Sequence, residues 1–150
     1  MKKIAKLCAV FLAAAVLTVF AACSARSAVS ADEFQKQAKS AGFTVASPSS
    51  DDSGAAKSLT ATKGGTDVEV DFHQFSDAPA AESWYGQQKT SMASAGSGKN
   101  VVDSDAYSKY TLTNGEISYE LVRVDNTAIF CKTTTAKQNV ADSLLKSLKY

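Results

Sequence analysis

One short segment, Tyr107 to Leu121, constrains the fold of this chain more than any other. Apolar and polar residues alternate in it on both sides of Asn114-Gly115, the dipeptide most typical of a tight β-hairpin turn. Pairing the strands outward from that dipeptide gives two apolar pairs on one face, Leu112 with Ile117 and Tyr110 with Tyr119. On the other face the same register sets Lys109 opposite Glu120. The segment therefore predicts an antiparallel hairpin with one buried face.

Two further turns extend this pattern. Gly64-Gly65 separates two strand-like runs, and a two-residue turn there would set Leu59 against Val70 and Ala61 against Val68. In that register Glu69, Asp71 and His73 point away from the apolar face. Asp125-Asn126 predicts a turn into a strand over residues 128–131, and a short strand is expected around Val101-Val102.

Three segments carry apolar residues at helical spacing. The first begins at the capping box Ser30 to Glu33 and ends at Gly42. The second begins near Ser76 or Asp77 with Pro79 in its first turn. The third is expected to be capped by Thr135 with Gln138. Their stripes, apolar apart from Gln88, are Phe34, Ala38 and Ala41; Ala81, Trp84, Tyr85, Gln88 and Met92; and Val140, Ala141, Leu144, Leu145 and Leu148.

These elements predict one α+β domain over residues 31–150. We expect a twisted antiparallel sheet of about six strands, with three amphipathic helices packed mainly on one side. A tight hairpin followed by a helix occurs in each half, which leaves an internal duplication open.

The first 22 residues read as a secretory signal peptide. Three lysines in residues 1–6 precede 16 uncharged, mostly apolar residues from Leu7 to Ala22. That run is shorter than the roughly 20 residues of a membrane-spanning helix, so an uncleaved anchor is the second choice. Ordinary cleavage near Ala28-Val29-Ser30 is another alternative.

Cys23 follows Phe20-Ala21-Ala22 directly, and this arrangement resembles the lipobox of bacterial lipoproteins. Phe20 stands where that family usually has Leu. The resemblance implies that diacylglycerol is attached to Cys23, that the chain is cut just before it, and that residues 23–30 tether the domain to the membrane. The domain outline, with the run from Tyr107 to Gly115 and the closing segment 144–150, resembles small extracytoplasmic domains of Gram-positive lipoproteins.

Charge argues against some partners. Cleavage before Cys23 removes three of the 16 basic side chains and none of the 15 acidic ones, so the remainder has a net charge of −2. Nucleic-acid binding and docking on anionic lipid both need clustered Lys and Arg, and neither is expected. The protein is therefore expected to be held at the membrane through the lipid on Cys23.

The cysteines and the single histidine limit the chemistry. Cys8 leaves with the signal and Cys23 is acylated, so Cys131 is the one free thiol and is expected to be a packing residue. His73 would have to be the base of any serine or cysteine nucleophile. Asp71 and His73 are weak candidate ligands for a metal, while Glu69 lies about 13 Å from His73 along a strand. Asp51-Asp52 lacks the further oxygen ligands of a calcium loop.

The aromatic residues leave a binding surface open. Trp84 and Tyr85 lie on the packing face of a helix, so we expect them in the core. Tyr107 shares the face of Lys109 and Glu120, where an exposed aromatic side chain would indicate a binding surface.

These observations favour a non-enzymatic binding module with no cofactor, anchored at the outer face of the cytoplasmic membrane. Its partner would be a protein, an envelope polymer or a small solute. The alternatives are an enzyme or metal-binding domain that depends on His73, and a structural protein of the cell envelope.

Overall fold

A single antiparallel sheet organises the chain. The computed structural model describes residues 26–150, so the signal segment, Cys8 and Cys23 lie outside the described residues. The helices are α1 (Ala31–Ser40), α2 (Ala78–Ala95) and α3 (Gln138–Ser147), the last preceded by a 3₁₀ turn at Thr135–Lys137. The strands are β1 (Thr44–Ala46), β2 (Lys57–Lys63), β3 (Val68–Gln74), β4 (Lys99–Asp103), β5 (Tyr107–Asn114), β6 (Ile117–Val124) and β7 (Thr127–Thr134).

The order across the sheet is β1-β2-β3-β7-β6-β5-β4, and every neighbouring pair is antiparallel. The α+β class and the antiparallel sheet are confirmed, with seven strands where about six were expected. Within residues 26–150, no helix combines the length and the hydropathy needed to cross a membrane.

The helices lie on both faces of the sheet. α1 and α3 share one apolar cluster with β2, β3 and the inner residues of β6 and β7, whereas α2 packs with a second cluster on the opposite face. The expected placement mainly on one side therefore holds for two helices and not for α2. β6 shows why, because Leu121 and Val122 are both fully buried although neighbours in a strand point to opposite faces.

Both hairpins keep the predicted faces but not the predicted register. Leu59 pairs with Phe72 and Ala61 with Val70, across a four-residue turn at residues 64–67 in which both glycines have positive φ. The later hairpin likewise turns one residue further on, at Gly115-Glu116. A positive φ of 60° at Gly115, the first turn position, is typical of a type II′ turn.

In each hairpin, a residue of the first strand pairs with a residue two positions further along the second strand than predicted. Leu112 pairs with Tyr119 and Tyr110 with Leu121, so the same side chains still share a face. Lys109 lies directly opposite Val122, yet its Nζ reaches Glu120 Oε1 on the diagonal at 2.5 Å. The expected ion pair is thus present in a different register. The Asp125-Asn126 turn is found as predicted, with Val124 paired to Thr127.

Local contacts cap both ends of α1 and the start of α2. Ser30 Oγ accepts the Glu33 N–H of α1, and Phe43 N–H donates to Ala38 across Gly42 at φ 80°. Asp77 caps α2 by accepting the Ala80 N–H at 2.9 Å.

The predicted cap of the third helix is wrong. Thr135 lies in the 3₁₀ turn, and α3 begins after Lys137 with no side-chain cap. The Thr135 N–H instead donates to the carbonyl of Glu116, which fixes the end of β7 against the β5–β6 turn. The position of α3 therefore depends on packing of its apolar stripe and not on a side-chain cap at its start.

Candidate functional site

A polar pocket lies where β2 and β3 meet the 47–56 loop and α2. Its volume is about 340 Å³, and its walls come from three separate parts of the chain. The lining residues are Pro48, Ser50, Asp51, Asp52, Ser53, Ser58, Leu59, Thr60, Asp71, His73, Trp84, Gln87 and Gln88. The pocket therefore unites two features that the sequence offers separately, the Asp71/His73 strand and the Asp51-Asp52 loop.

Cross-strand pairs form the floor of the pocket. Ser58 lies directly opposite His73, and its Oγ is 2.8 Å from Nδ1 of the imidazole. Two pairs further along the strand, Thr60 Oγ1 donates to Asp71 Oδ1 at 2.6 Å. Glu69 is on the same face of β3 but does not line the pocket. Two hydroxyls thus hold the imidazole and one carboxylate in fixed positions on the sheet.

Trp84 of α2 forms the aromatic wall. Its ring centroid lies 4.5 Å from that of His73 and 5.8 Å from that of Phe75, in tilted contacts. Trp84 is buried, as the sequence predicts, and it also reaches the pocket. Gln87 and Gln88, one helical turn further on, add two amides to the same wall.

The 47–56 loop supplies the remaining carboxylates. Asp51 Oδ1 accepts the backbone N–H of Ser53 at 2.9 Å, and Ser53 Oγ accepts the N–H of Ala55 at 3.1 Å. These two local bonds are typical of short polar loops and hold Asp51 toward the pocket. Asp51 is close enough to His73 for the two side chains to influence each other electrostatically.

Burial sets the protonation of the pocket. Desolvation lowers the pKa of His73 against the opposing pull of the Asp51 charge, so the neutral imidazole is favoured. Desolvation raises the pKa of Asp71, and the hydrogen bond from Thr60 partly offsets this effect. For Asp51 burial acts in the same upward sense, but hydrogen bonds from serine outweigh it and the pKa is lowered.

The pocket is consequently electronegative. It has three carboxylates, and none of the lining residues, all within the described part of the chain, is Lys or Arg. Hydroxyl, amide and imidazole groups complete a surface rich in hydrogen-bond partners. An anion would meet repulsion here, whereas a neutral or cationic polar molecule would not.

The structure separates His73 from Cys131. His73 and Ser58 are in contact, but the hydrogen bonds made within residues 26–150 include none from the imidazole to a carboxylate, which a triad requires. Cys131 lies in the apolar cluster on the opposite face of the sheet from His73, and burial raises its pKa to about 12. Residues 26–150 also contain no cluster of three or more His, Cys, Asp or Glu placed to hold a metal.

The other aromatic candidates do not form a binding surface. Tyr107 is 8% exposed, contrary to the possibility of an exposed aromatic, because the Arg26 guanidinium lies over its ring at 3.9 Å. Tyr85 and Tyr110 belong to the α2 cluster, and Tyr119 packs against its edge.

Sequence reasoning missed Ser58, Thr60 and the two glutamines as pocket residues. Ser58 and Thr60 could have been found from the correct register of the β2–β3 hairpin. The position of α2 across the sheet has no local signal in the sequence.

Comparison with known proteins shows a likeness in fold. No family model matches the chain, and no curated protein matches it significantly. Among solved structures, the chain is similar to a crystal structure from Thermotoga maritima described as a GTP binding regulator. The two share 9% sequence identity and a TM-score of 0.58, covering 77% of this chain and 84% of the other. The likeness extends over most of both chains and is one of fold.

Proposed function

We propose that this chain is a lipoprotein, anchored through diacylglycerol on Cys23, whose domain is a non-enzymatic binding module at the outer face of the cytoplasmic membrane. The observation that carries the proposal is the order of residues 1–23, in which a basic start and an uncharged apolar run lead to Ala21-Ala22-Cys23. Two or three acyl chains would hold the protein stably, since each buried methylene contributes ~0.8 kcal/mol.

The start of the described domain supports a short tether. Arg26 already contacts Tyr107, and Val29 packs against the core cluster of α1 and α3. Three residues of chain lead from Cys23 to Arg26, and they span at most about 10 Å. The anchor would therefore keep the domain against the membrane surface.

The polar pocket supports the binding role. Its size suits a small solute or one unit of a polymer, and its carboxylates and amides suit a hydrogen-bonding ligand that is neutral or cationic. The His73 imidazole is held by Ser58, and within residues 26–150 no carboxylate accepts a hydrogen bond from it, which favours binding over catalysis.

Replacement of Cys23 tests the anchor. Cys23→Ser should abolish incorporation of labelled palmitate and leave an uncut precursor or a soluble protein. Cys8→Ser is the matched control, because Cys8 lies in the part that is removed, and it should retain the label. Intact mass of the mature wild-type protein should begin at Cys23 with added acyl mass. An unacylated N-terminus at any position would refute the proposal.

Tryptophan fluorescence tests the pocket. Trp84 is the only tryptophan in the sequence and lines the pocket, so its emission reports on occupancy directly. We expect a saturable change with a neutral polyol or a small organic amine from a panel, and none with sulfate or phosphate. Asp71→Asn and His73→Ala should weaken it, while Glu69→Gln, on the same face of β3 but outside the pocket, should not. Equal effects in all three variants would remove the pocket from the proposal.

A further inference from the structure

Two exposed valines lie on β4, the edge strand at the end of the sheet away from β1. Of the residues in 26–150, the large hydrophobic side chains that are exposed are Val101 and Val102, at 50% and 38%. Single exposed apolar residues are ordinary, but these two are adjacent on one edge strand. We call this pair the edge patch.

A β-bulge places both valines together. Asn100 pairs with Tyr110 and Val102 with Lys109, so Val101 is the extra residue opposite no partner. A bulge puts two residues against one and twists an edge away from pairing with another strand. Val101 and Val102 consequently line the same surface cavity, on the face of the sheet shared with α3.

The N-terminal end of the described chain lies next to the edge patch. Arg26, with its guanidinium on the Tyr107 ring, lines that same cavity beside both valines. At most about 10 Å of chain separates Arg26 from Cys23. A lipid on Cys23 would therefore hold the bilayer surface within reach of the edge patch.

The charges around the cavity are mixed. Lys109 is paired with Glu120, and Lys146 and Asp142 stand on the same rim. A basic footprint for anionic lipid is not formed, so an apolar contact is the mode that this surface offers.

We propose that the edge patch of Val101 and Val102 is a membrane-contact surface, which rests on the bilayer interface and fixes the orientation of the anchored domain. This inference rests on the proposed lipidation of Cys23. In this orientation β4 faces the lipid, and the polar pocket, at the other side of the sheet between β2, β3 and α2, is turned toward the envelope.

Site-specific quenching in neutral vesicles tests the orientation. The acylated full chain, with its lipid verified by intact mass, is reconstituted in phosphatidylcholine that contains a headgroup-region nitroxide lipid. A fluorophore is placed at Ala106→Cys, in the turn after β4, or at Ser83→Cys, on the outer side of α2; both residues are small and exposed. Cys131 is buried and should not take the label. We expect quenching at position 106 to exceed that at position 83 at least threefold.

The valines themselves are tested in a second variant. Val101→Ser/Val102→Ser changes only exposed side chains, and Trp84 emission verifies the fold. Quenching at position 106 should fall toward the position 83 value while the acyl mass stays unchanged. Equal quenching at the two positions in the parent protein, or unchanged quenching in the serine variant, would overturn the inference. Missing acyl mass would instead refute the lipidation before any quenching is measured.

Discussion

The ion pair between Lys109 and Glu120 allows a quantitative test of how burial changes the strength of a salt bridge. Its atoms are 2.5 Å apart, and its side chains are 23% and 9% exposed. The same chain has a matched control in Lys57 and Asp32, which are 3.3 Å apart and 60% and 88% exposed. Both pairs join a lysine to a carboxylate, and they differ in access to water and in length.

The expected magnitudes follow from that difference. Exposed pairs contribute about 0.2–1 kcal/mol, because water and salt screen them. Breaking a fully buried pair costs about 3–5 kcal/mol, because one charge is left without compensation. Lys109 still reaches water, so we expect Lys109→Met to cost about 2 kcal/mol. Glu120→Gln should cost less, because the ammonium left behind is more exposed than the carboxylate would be.

Double-mutant cycles measured by urea unfolding, with Trp84 emission as the probe, give the coupling energies. We expect about 1.5 kcal/mol between Lys109 and Glu120, and less than about 0.5 kcal/mol between Lys57 and Asp32. Adding 0.5 M NaCl should reduce the second coupling far more than the first. Equal couplings, or a cheaper Lys109→Met than Glu120→Gln, would contradict the reasoning from burial.

Three further predictions concern single residues. Cys131, whose pKa burial raises to about 12, should not react with a maleimide in the native protein and should react fully in urea; native labelling would contradict its placement. His73 has a lowered pKa in the folded protein, so the unfolded chain takes up the proton first as the pH falls. The free energy of unfolding should therefore be highest well above pH 6.5 and should decrease as the pH drops through that value. The urea midpoint of His73→Gln should not show this decrease. Gly115 has a φ of 60°, so Gly115→Ala should lower the free energy of unfolding by about 1 kcal/mol, whereas Gly86→Ala in α2 should raise it by about 0.8 kcal/mol. Neither new methyl group would meet an atom within 4 Å, so urea unfolding of the two variants measures the effect of the backbone conformation.

The elements that could be predicted from the sequence are those whose signals are local. Ser30, Gly42 and Asp77 act on backbone groups within a few residues, and the helix boundaries they predict agree with the structure. Thr135 failed as a cap because its backbone bonds to Glu116, which is distant in sequence. A local pattern cannot anticipate such a competing partner.

Hairpin register shows a second limit. A shift of two residues leaves each side chain on its face, so the apolar pattern agrees equally well with both registers. The residues of the turn determine which register forms. Gly115 occupies the first turn position, where Asn114 was expected. Face assignments were therefore correct while the pairs were wrong.

The polar pocket was hidden for a related reason. Asp71 and His73 were recognised as one face of a strand, and Asp51 as part of a polar loop, but nothing local indicates that the two meet beneath α2. That meeting depends on which face of the sheet α2 covers. Continuous burial along most of β6 and at the start of β7 requires cover on both faces of the sheet, but it does not say which helix covers which face.

The strand order has a consequence for how the protein matures. β3 and β7 are neighbours in the sheet, yet their paired residues are more than fifty positions apart in the chain. As the polypeptide emerges from its N-terminus, α1 and the first three strands come out long before β7. Until then the backbone of β3, which carries Val68, Val70 and Phe72, has an unpaired edge that can associate with other nascent chains. Pairing of β3 with β7 therefore has to follow synthesis of β4, β5 and β6, and the open edge of β3 is an aggregation risk during that interval.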